Sequence, residues 1–320
     1  MFKKIIIDND IALSMANILR KNIDQLEKID VFDQRFFPLK EMDREKVGMF
    51  FLVMVALDHR LSRPGKPYEA CIEDGCYHGA DLLWRLGKQI LDEYPDFYTA
   101  YNLSRIRIDD IKKYFNINNA EVPDPDIRAY LLRDLGLKLD KLYNGKFLEL
   151  LKASNNRIRG RGTEQGLIDL LRVFRAYEDP VEKKSFLLIK FLQARGLFIP
   201  IDQHNMEVPV DNHLSRIAYR TGLVQIRGKL WDYIRSFHEV SYSDDIFLRF
   251  TVRYAYSLVA DLAGIDKGVL DDMLWIHGRR ICLRDKHANC NSCSFNIFCK
   301  AYMNQEYMVR EHNYYNTWYY

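Results

Sequence analysis

The sequence predicts an all-α protein, and two observations carry that prediction. Apolar residues recur three or four positions apart through most of the chain, which is the period of a helix with one buried face. The segments between those stretches carry helix-ending or turn chemistry, as in Arg63-Pro64-Gly65, Pro123-Asp124-Pro125, Asn144-Gly145 and Asp179-Pro180. The periodic stretches are residues 10–27, 45–57, 79–93, 126–135, 137–142, 164–175, 182–195, 212–222, 229–239 and 244–263. Within the second of these, Met49 to Leu57 is apolar throughout. It falls far short of the ~20 residues that cross a bilayer, so it reads as a buried core helix and not as a membrane span.

A chain of 320 residues has room for one large domain or two intertwined ones. No repeat or low-complexity linker marks a boundary. The N-terminal run Ile5-Ile6-Ile7 ends at Asp8 and is too short for the core of a signal peptide, so the expected location is cytoplasmic. A net charge of +3 neither announces nor excludes a polyanionic partner. Basic residues do cluster locally. In 155–162, Arg157, Arg159 and Arg161 alternate with other residues, two of them glycines, just before a predicted helix. Such a loop suits phosphates, gripped by guanidinium forks and by backbone N–H groups at the helix start, and a solvated surface turn is the plainer alternative.

Four of the six cysteines, Cys282, Cys290, Cys293 and Cys299, fall in the spacing C-x7-C-x2-C-x5-C. In a reducing compartment this density favours metal or iron–sulfur ligation over disulfides. Four thiolates suit either zinc or a [4Fe–4S] cluster. Only Cys290 and Cys293 form a CxxC pair, unlike the two separated knuckles of a zinc ribbon, which tilts the choice toward iron–sulfur. Cys71 and Cys76 stand apart and are expected to pack as small hydrophobes.

The stretch Leu274-Trp275-Ile276-His277-Gly278-Arg279-Arg280-Ile281-Cys282, followed by the other three cysteines, resembles the C-terminal cluster loop of the endonuclease III-like DNA glycosylases, members of the helix-hairpin-helix (HhH-GPD) superfamily. The family usually has six residues between its first two cysteines where this chain has seven. The resemblance implies a [4Fe–4S] cluster on Cys282, Cys290, Cys293 and Cys299, with zinc as the alternative. It also implies a basic DNA-contacting loop, for which Arg279, Arg280, Arg284 and Lys286 are the matching residues.

A second resemblance lies in Val208-Pro209-Val210-Asp211-Asn212-His213, followed by Arg216 and a helix ending at Gly222. In these glycosylases such a stretch holds the catalytic aspartate, which implies that role for Asp211. An aspartate there also caps a helix, and capping alone is the plainer alternative. A carboxylate beside C1′ stabilises the oxocarbenium-like transition state of base loss. Bifunctional members add a lysine that attacks C1′ and forms a Schiff base. Lys183 and Lys184 open the matching helix. At ~100° per residue Lys184 shares the face of Leu187, Leu188 and Phe191, whereas Lys183 is expected on the solvent side. Lys184 is therefore the expected nucleophile, Lys183 the alternative, and two solvated lysines the plainer reading. The family's Leu-Pro-Gly-hydrophobic-Gly hairpin is absent, and the corresponding stretch runs from Phe174 through Asp179-Pro180-Val181-Glu182. Here the chain resembles the archaeal 8-oxoguanine glycosylase branch, whose hairpin is also altered.

Together the resemblances, which span roughly 163–302, imply a two-lobed helical glycosylase fold with a C-terminal cluster loop. The expected organisation is an N-terminal helical extension over 1–75, a glycosylase core over 76–281, the cluster loop over 282–302 and an aromatic tail over 303–320. The implied activity is excision of an oxidised or otherwise modified base from double-stranded DNA, with strand cleavage by a lyase step. Without Lys184 as nucleophile the enzyme is monofunctional, and without Asp211 as catalyst the chain is a nucleic-acid-binding protein. A nucleoid-associated monomer with no membrane partner is expected. His59, His78 and Tyr77 are candidate pocket residues, with satisfied structural groups as the plainer reading, and the tail reads either as a packed terminus or as a base-stacking surface.

Overall fold

The computed structural model describes residues 5–61, 65–284 and 288–320. In chain order its strands and α-helices begin with β1 (Ile5–Ile7), α1 (Asn9–Lys21), α2 (Arg44–Leu57), β2 (Glu69–Ile72), β3 (Gly75–His78), α3 (Ala80–Glu93), α4 (Ala100–Leu103) and α5 (Ile108–Phe115). They continue with α6 (Pro125–Tyr143), α7 (Phe147–Ala153), α8 (Leu167–Leu171), α9 (Lys183–Ala194), α10 (Asn212–Thr221) and β4 (Val224–Ile226). The last are α11 (Lys229–Arg235), α12 (Tyr242–Ala263), α13 (Lys267–Arg280) and α14 (Lys300–Met303). Helix dominates, as the periodicity predicts, and the strands form two small antiparallel pairs.

The chain divides into two compact units. One joins Met1–Ile29 to Glu207–Thr317, and the other comprises Asp30–Met206 with Trp318–Tyr320. These limits differ from the expected boundary at residue 75, because residues 5–29 pack with the C-terminal third of the chain. The isoleucine run supplies the reason. Ile5 pairs with Ile226 and Ile7 with Val224, so the three residues form a strand beside β4. Asp8 then donates its backbone N–H to the Leu223 carbonyl and caps α1 through Asp10 and Ile11 N–H. In this unit Met15 and Leu19 of α1 share a core with Leu214 and Ile217 of α10, Leu248 and Val252 of α12, and Leu270 and Leu274 of α13.

The second unit is built around α2, whose residues from Val47 to Leu57 are all buried, as their apolar run implies. Phe50 and Phe51 join Phe37, Trp84 and Phe191 in an aromatic cluster with ring centroids 5.2–6.1 Å apart. The expected stretches 126–135 and 137–142 are one helix, α6. Gly136 carries it past α4, where a Cβ would collide with the backbone of Ala100 and Ser104.

Cys71 and Cys76 correct the sequence expectation of separate packing. They face each other across the β2–β3 hairpin with Cα atoms 3.9 Å apart and are disulfide-bonded. Spacing alone did not announce the hairpin, so it did not announce the pairing.

Candidate active site

Helix α9 opens on the two lysines, and its N-terminus is held by carboxylates. Asp179 accepts from the backbone N–H of Val181 and of Lys183, each at 3.0 Å. These N–H groups at the start of α9 are thus already bonded within the protein. Glu182, the cap residue, adopts φ 63°, a left-handed conformation that costs a side-chain-bearing residue about 1 kcal/mol or more. Its buried carboxylate is gripped by Arg159, with one contact at 3.0 Å, and by Arg172. Two guanidinium groups stabilise a backbone conformation that glycine would adopt without strain.

Lys184 is fully buried, the inward orientation its helical phase predicts. Its Nζ donates to the Ala56 carbonyl oxygen at 2.6 Å, at the end of α2, and lies 3.4 Å from His59 Nδ1. Burial, reinforced by the neighbouring Lys183 charge, holds its amine well below the usual lysine range and so favours the neutral form. Lys183 departs from expectation. It is 7 % exposed and turns its Nζ toward the carbonyl oxygen and carboxylate of Asp58, at 3.4 and 3.5 Å, because the segment after α2 covers both lysines.

The arginine loop also differs from a phosphate-gripping loop. Asp202 accepts from the N–H of Ile158 and Arg159 at 2.7 and 3.1 Å, and Asp169 accepts from Gly160 N–H at 2.6 Å. Arg157 pairs with Glu164 at 3.2 Å and Arg159 with Glu182, which leaves Arg161 as the exposed arginine of the three. The loop's backbone and one fork therefore serve the fold around α9.

Asp211 lies in the other unit. Its extended backbone ends the Val-Pro-Val approach, and its Oδ1 accepts from Leu214 N–H at 3.0 Å as the N-cap of α10. His213, the second residue of the helix, is half-buried against α13, where Gly278 allows the approach: a Cβ there would lie 2.8 Å from His213 Cβ. Burial pushes the His213 pKa down to about 4. Arg216 and Arg220, on the following turns, reach the cysteine loop. Arg216 donates to the carbonyl oxygens of Gly278 at 2.8 Å and of Cys282 at 3.0 Å. Arg220 donates to the carbonyl oxygens of Leu283, Arg284 and Val309 and lies 3.5 Å from Cys282 Sγ. The Asp211 helix and the first cysteine are thus one hydrogen-bonded assembly.

Cys282, Cys290, Cys293 and Cys299 line a single small cavity together with His277, Phe295 and Met308. Among the described residues, no three His, Cys, Asp or Glu side chains are grouped closely enough for one metal ion. Burial pushes the Cys293 thiol up to about 12 and raises Cys290 and Cys299, as befits sulfurs whose charge needs a cationic partner. Of the basic residues nearby, Arg279 lies over the Trp275 ring at 4.3 Å, Arg280 pairs with Glu27 at 2.5 Å, and Arg284 pairs with Glu311 at 2.7 Å. Lys286 lies outside the described residues.

Several buried groups around these sites were not singled out from sequence. Arg128 donates to the carbonyl oxygens of Leu57 and His59. His312 bridges Tyr219, at 2.8 Å, and Asp245, at 2.9 Å, and Asp245 pairs with Arg249 at 3.1 Å. This network docks the chain after the cysteine loop onto α10 and α12. The tail ends as a packed terminus: Trp318 Nε1 donates to the Arg175 carbonyl oxygen at 3.0 Å and Tyr320 is buried. No described helix is long and apolar enough to cross a membrane.

No protein-family model and no curated protein sequence matches the chain. Among solved structures it is similar to endonuclease III in a trapped covalent intermediate with DNA, an estranged-adenine complex, at 12% identity and a TM-score of 0.51 over 92% of this chain and 96% of that one. A thermostable thymine-DNA glycosylase matches at 13% identity and a TM-score of 0.48, covering 92% and 98% of the two chains. A non-covalent endonuclease III–DNA complex matches at 11% and 0.49, covering 92% and 96%. The chain has the all-α fold of endonuclease III.

Proposed function

We propose that the chain is a DNA glycosylase that excises an oxidised or otherwise modified base and then cleaves the strand as an AP lyase. The observation that carries this reading is Asp211 placed as the N-cap of α10 within the fold of endonuclease III, with one carboxylate oxygen bonded to the helix. The cap fixes the carboxylate's position, and its other oxygen is available to a cationic sugar. Base excision demands such a group, because breaking the glycosidic bond develops positive charge at C1′. The base must leave the stack first, since C1′ is shielded within the duplex.

Lys184 supports the lyase step. A desolvated amine is more readily neutral, and only a neutral amine attacks C1′. The endonuclease III structure that this chain resembles is itself a covalent intermediate with DNA. A monofunctional glycosylase is the second reading, favoured by the bond from Lys184 Nζ to the Ala56 carbonyl oxygen, which suits a structural role.

A [4Fe–4S] cluster fits the cysteine cavity, with Cys282, Cys290, Cys293 and Cys299 as its ligands and zinc as the alternative. The four thiols line one cavity, and four thiolates are the ligand set of such a cluster. When bound, the cluster would fix the loop that Arg216 and Arg220 already hold against α10. The partner is DNA, bound by a nucleoid-associated monomer through Arg161, Arg279 and the basic residues beside the cysteines.

The test is a panel of duplexes, each with one modified base, incubated with purified protein and assayed for free base. Release from at least one duplex is expected. Tight binding to the panel with no release from any member would make the chain a DNA-binding protein on a glycosylase scaffold.

A further inference from the structure

An imidazole stands in the wall of the cysteine cavity. His277 lies in the last turn of α13, where its carbonyl oxygen accepts from the N–H of Ile281 and of Cys282, each at 2.9 Å. The helix end therefore delivers the first cysteine and fixes the histidine backbone together. The His277 ring packs on Phe295, with ring centroids 5.2 Å apart. So held, its Nε2 lies 3.5 Å from Cys293 Sγ.

A nitrogen and a sulfur at that distance share a hydrogen bond whose direction depends on where the proton sits. A free thiol can donate to a bare Nε2. A thiolate that ligates metal has lost its proton, so the contact then holds only with Nε2–H as the donor. The neighbouring contacts are of another kind. Arg220 Nη1 lies 3.5 Å from Cys282 Sγ, but the same guanidinium also holds the carbonyl oxygens of Leu283 and Arg284, and its first duty is to the loop. Cys299 Sγ lies 3.4 Å from the Arg220 carbonyl oxygen, which is an acceptor and not a donor. The His277 ring touches Cys293 through one nitrogen, on a side chain that Phe295 and the helix already hold in place.

We propose that His277 donates an Nε2–H hydrogen bond to the Cys293 sulfur and thereby raises the reduction potential of an iron–sulfur cluster held by the four cysteines. The proposal rests on the iron–sulfur reading of those cysteines. Hydrogen bonds to the sulfurs are among the levers that set the potential of such a group. An N–H dipole aimed at a ligand sulfur favours the more negative, one-electron-reduced state over the oxidised one. No bond to His277 forms or breaks in that step. His277 is a positioning residue that acts through Cys293.

The experiment uses the full chain purified anaerobically. Iron is counted and the potential is measured at an electrode, which supplies the electron, for wild type, His277→Leu and His277→Gln. Leucine keeps an apolar contact for Phe295 and removes the donor, whereas glutamine carries an amide N–H to about the reach of Nε2. His277→Leu should hold as much iron as wild type and be harder to reduce. At the wild-type midpoint its ratio of reduced to oxidised cluster should fall roughly five-fold, the scale of one net hydrogen bond. His277→Gln should recover most of that shift. A second measurement needs no variant to fold: reduced wild type grown on isotope-labelled histidine should show by pulsed EPR a weak histidine-nitrogen coupling and an exchangeable proton close to the cluster. An unchanged potential in an iron-loaded His277→Leu, or no histidine coupling in iron-loaded wild type, would overturn the donor role alone. A coupling strong enough for a direct iron–nitrogen bond would make His277 a ligand and overturn it as well. Wild type that carries no iron would overturn the iron–sulfur reading, and this proposal with it.

Discussion

The guanidinium of Arg159 forks onto the carboxylate of Glu182 and holds that residue at φ 63°, immediately before Lys183 and Lys184. An arginine that the sequence offers to DNA is used to shape the start of the lysine helix. Glu182→Gly should relieve about 1 kcal/mol of backbone strain. It also leaves Arg159 and Arg172 without their shared carboxylate.

Charge-assisted bonds to a buried carboxylate are worth about 1.5–3 kcal/mol, less where the arginines are partly exposed. Net destabilisation of about 1 kcal/mol is therefore expected from Glu182→Gly in chemical denaturation, and a stabilised variant would show that the backbone term dominates. Arg159→Ala should destabilise similarly. The exposed Arg161→Ala should leave stability unchanged and reduce the slope of log affinity against log salt by about 1 if that side chain meets a phosphate.

The second prediction concerns acid. His213 is neutral in the folded chain with a pKa near 4, against about 6.5 when unfolded. Between those values the unfolded chain binds a proton that the folded chain does not, so stability falls as pH drops through the window from 6.5 to 4. At 1.36 kcal/mol per unit the full contribution is roughly 3 kcal/mol. Denaturation midpoints should decline across this window in wild type and decline less in His213→Asn. An equal decline in both would show that His213 does not control the acid limb.

The cysteine cavity predicts metal content. Protein purified anaerobically should be brown and carry about four iron atoms per chain. Because thiols must lose their protons to become ligands, chelator-driven loss of iron should quicken as pH falls. Cys293→Ser should lower iron content and loosen the loop against α10, measured as faster amide exchange in 282–299. One zinc per chain with no iron would replace the cluster reading with a structural zinc site.

How much of this was legible in the sequence follows from which forces are local. The all-apolar run of α2 and the helical phase of Lys184 are local properties, and both are found in the structure. Gly136 looked like a break and is a contact, because what it meets, the backbone of α4, is distant in sequence. The β2–β3 hairpin has strands of four residues, too short for alternation to register, so the Cys71–Cys76 bond was hidden with it. Lys183 was placed toward solvent from its own helix alone, whereas the segment after α2 covers that face. The partners of Arg159 and His59 depend on chain paths that no motif specifies.

The last prediction separates Asp211 from Lys184 by chemistry. A carboxylate stabilises the cationic sugar as the glycosidic bond breaks, while only an amine forms an imine with that sugar. Asp211→Asn keeps a side-chain oxygen to accept from Leu214 N–H, so α10 remains capped and DNA binding should persist. Its loss should appear as base release slowed by at least about 10²-fold, the scale on which single electrostatic groups act. Lys184→Ala should abolish borohydride trapping, but the amine is fully buried and its removal leaves a cavity, so stability must be measured beside activity. Lys184→Met fills that space without a nucleophile and should fold while failing to trap. Lys183→Ala removes a lysine whose amine faces Asp58, and trapping should survive. Trapping that survives Lys184→Met and disappears with Lys183→Ala would transfer the nucleophile to Lys183, whereas base release by a wild type that never traps would leave a monofunctional enzyme in which Lys184 braces the end of α2.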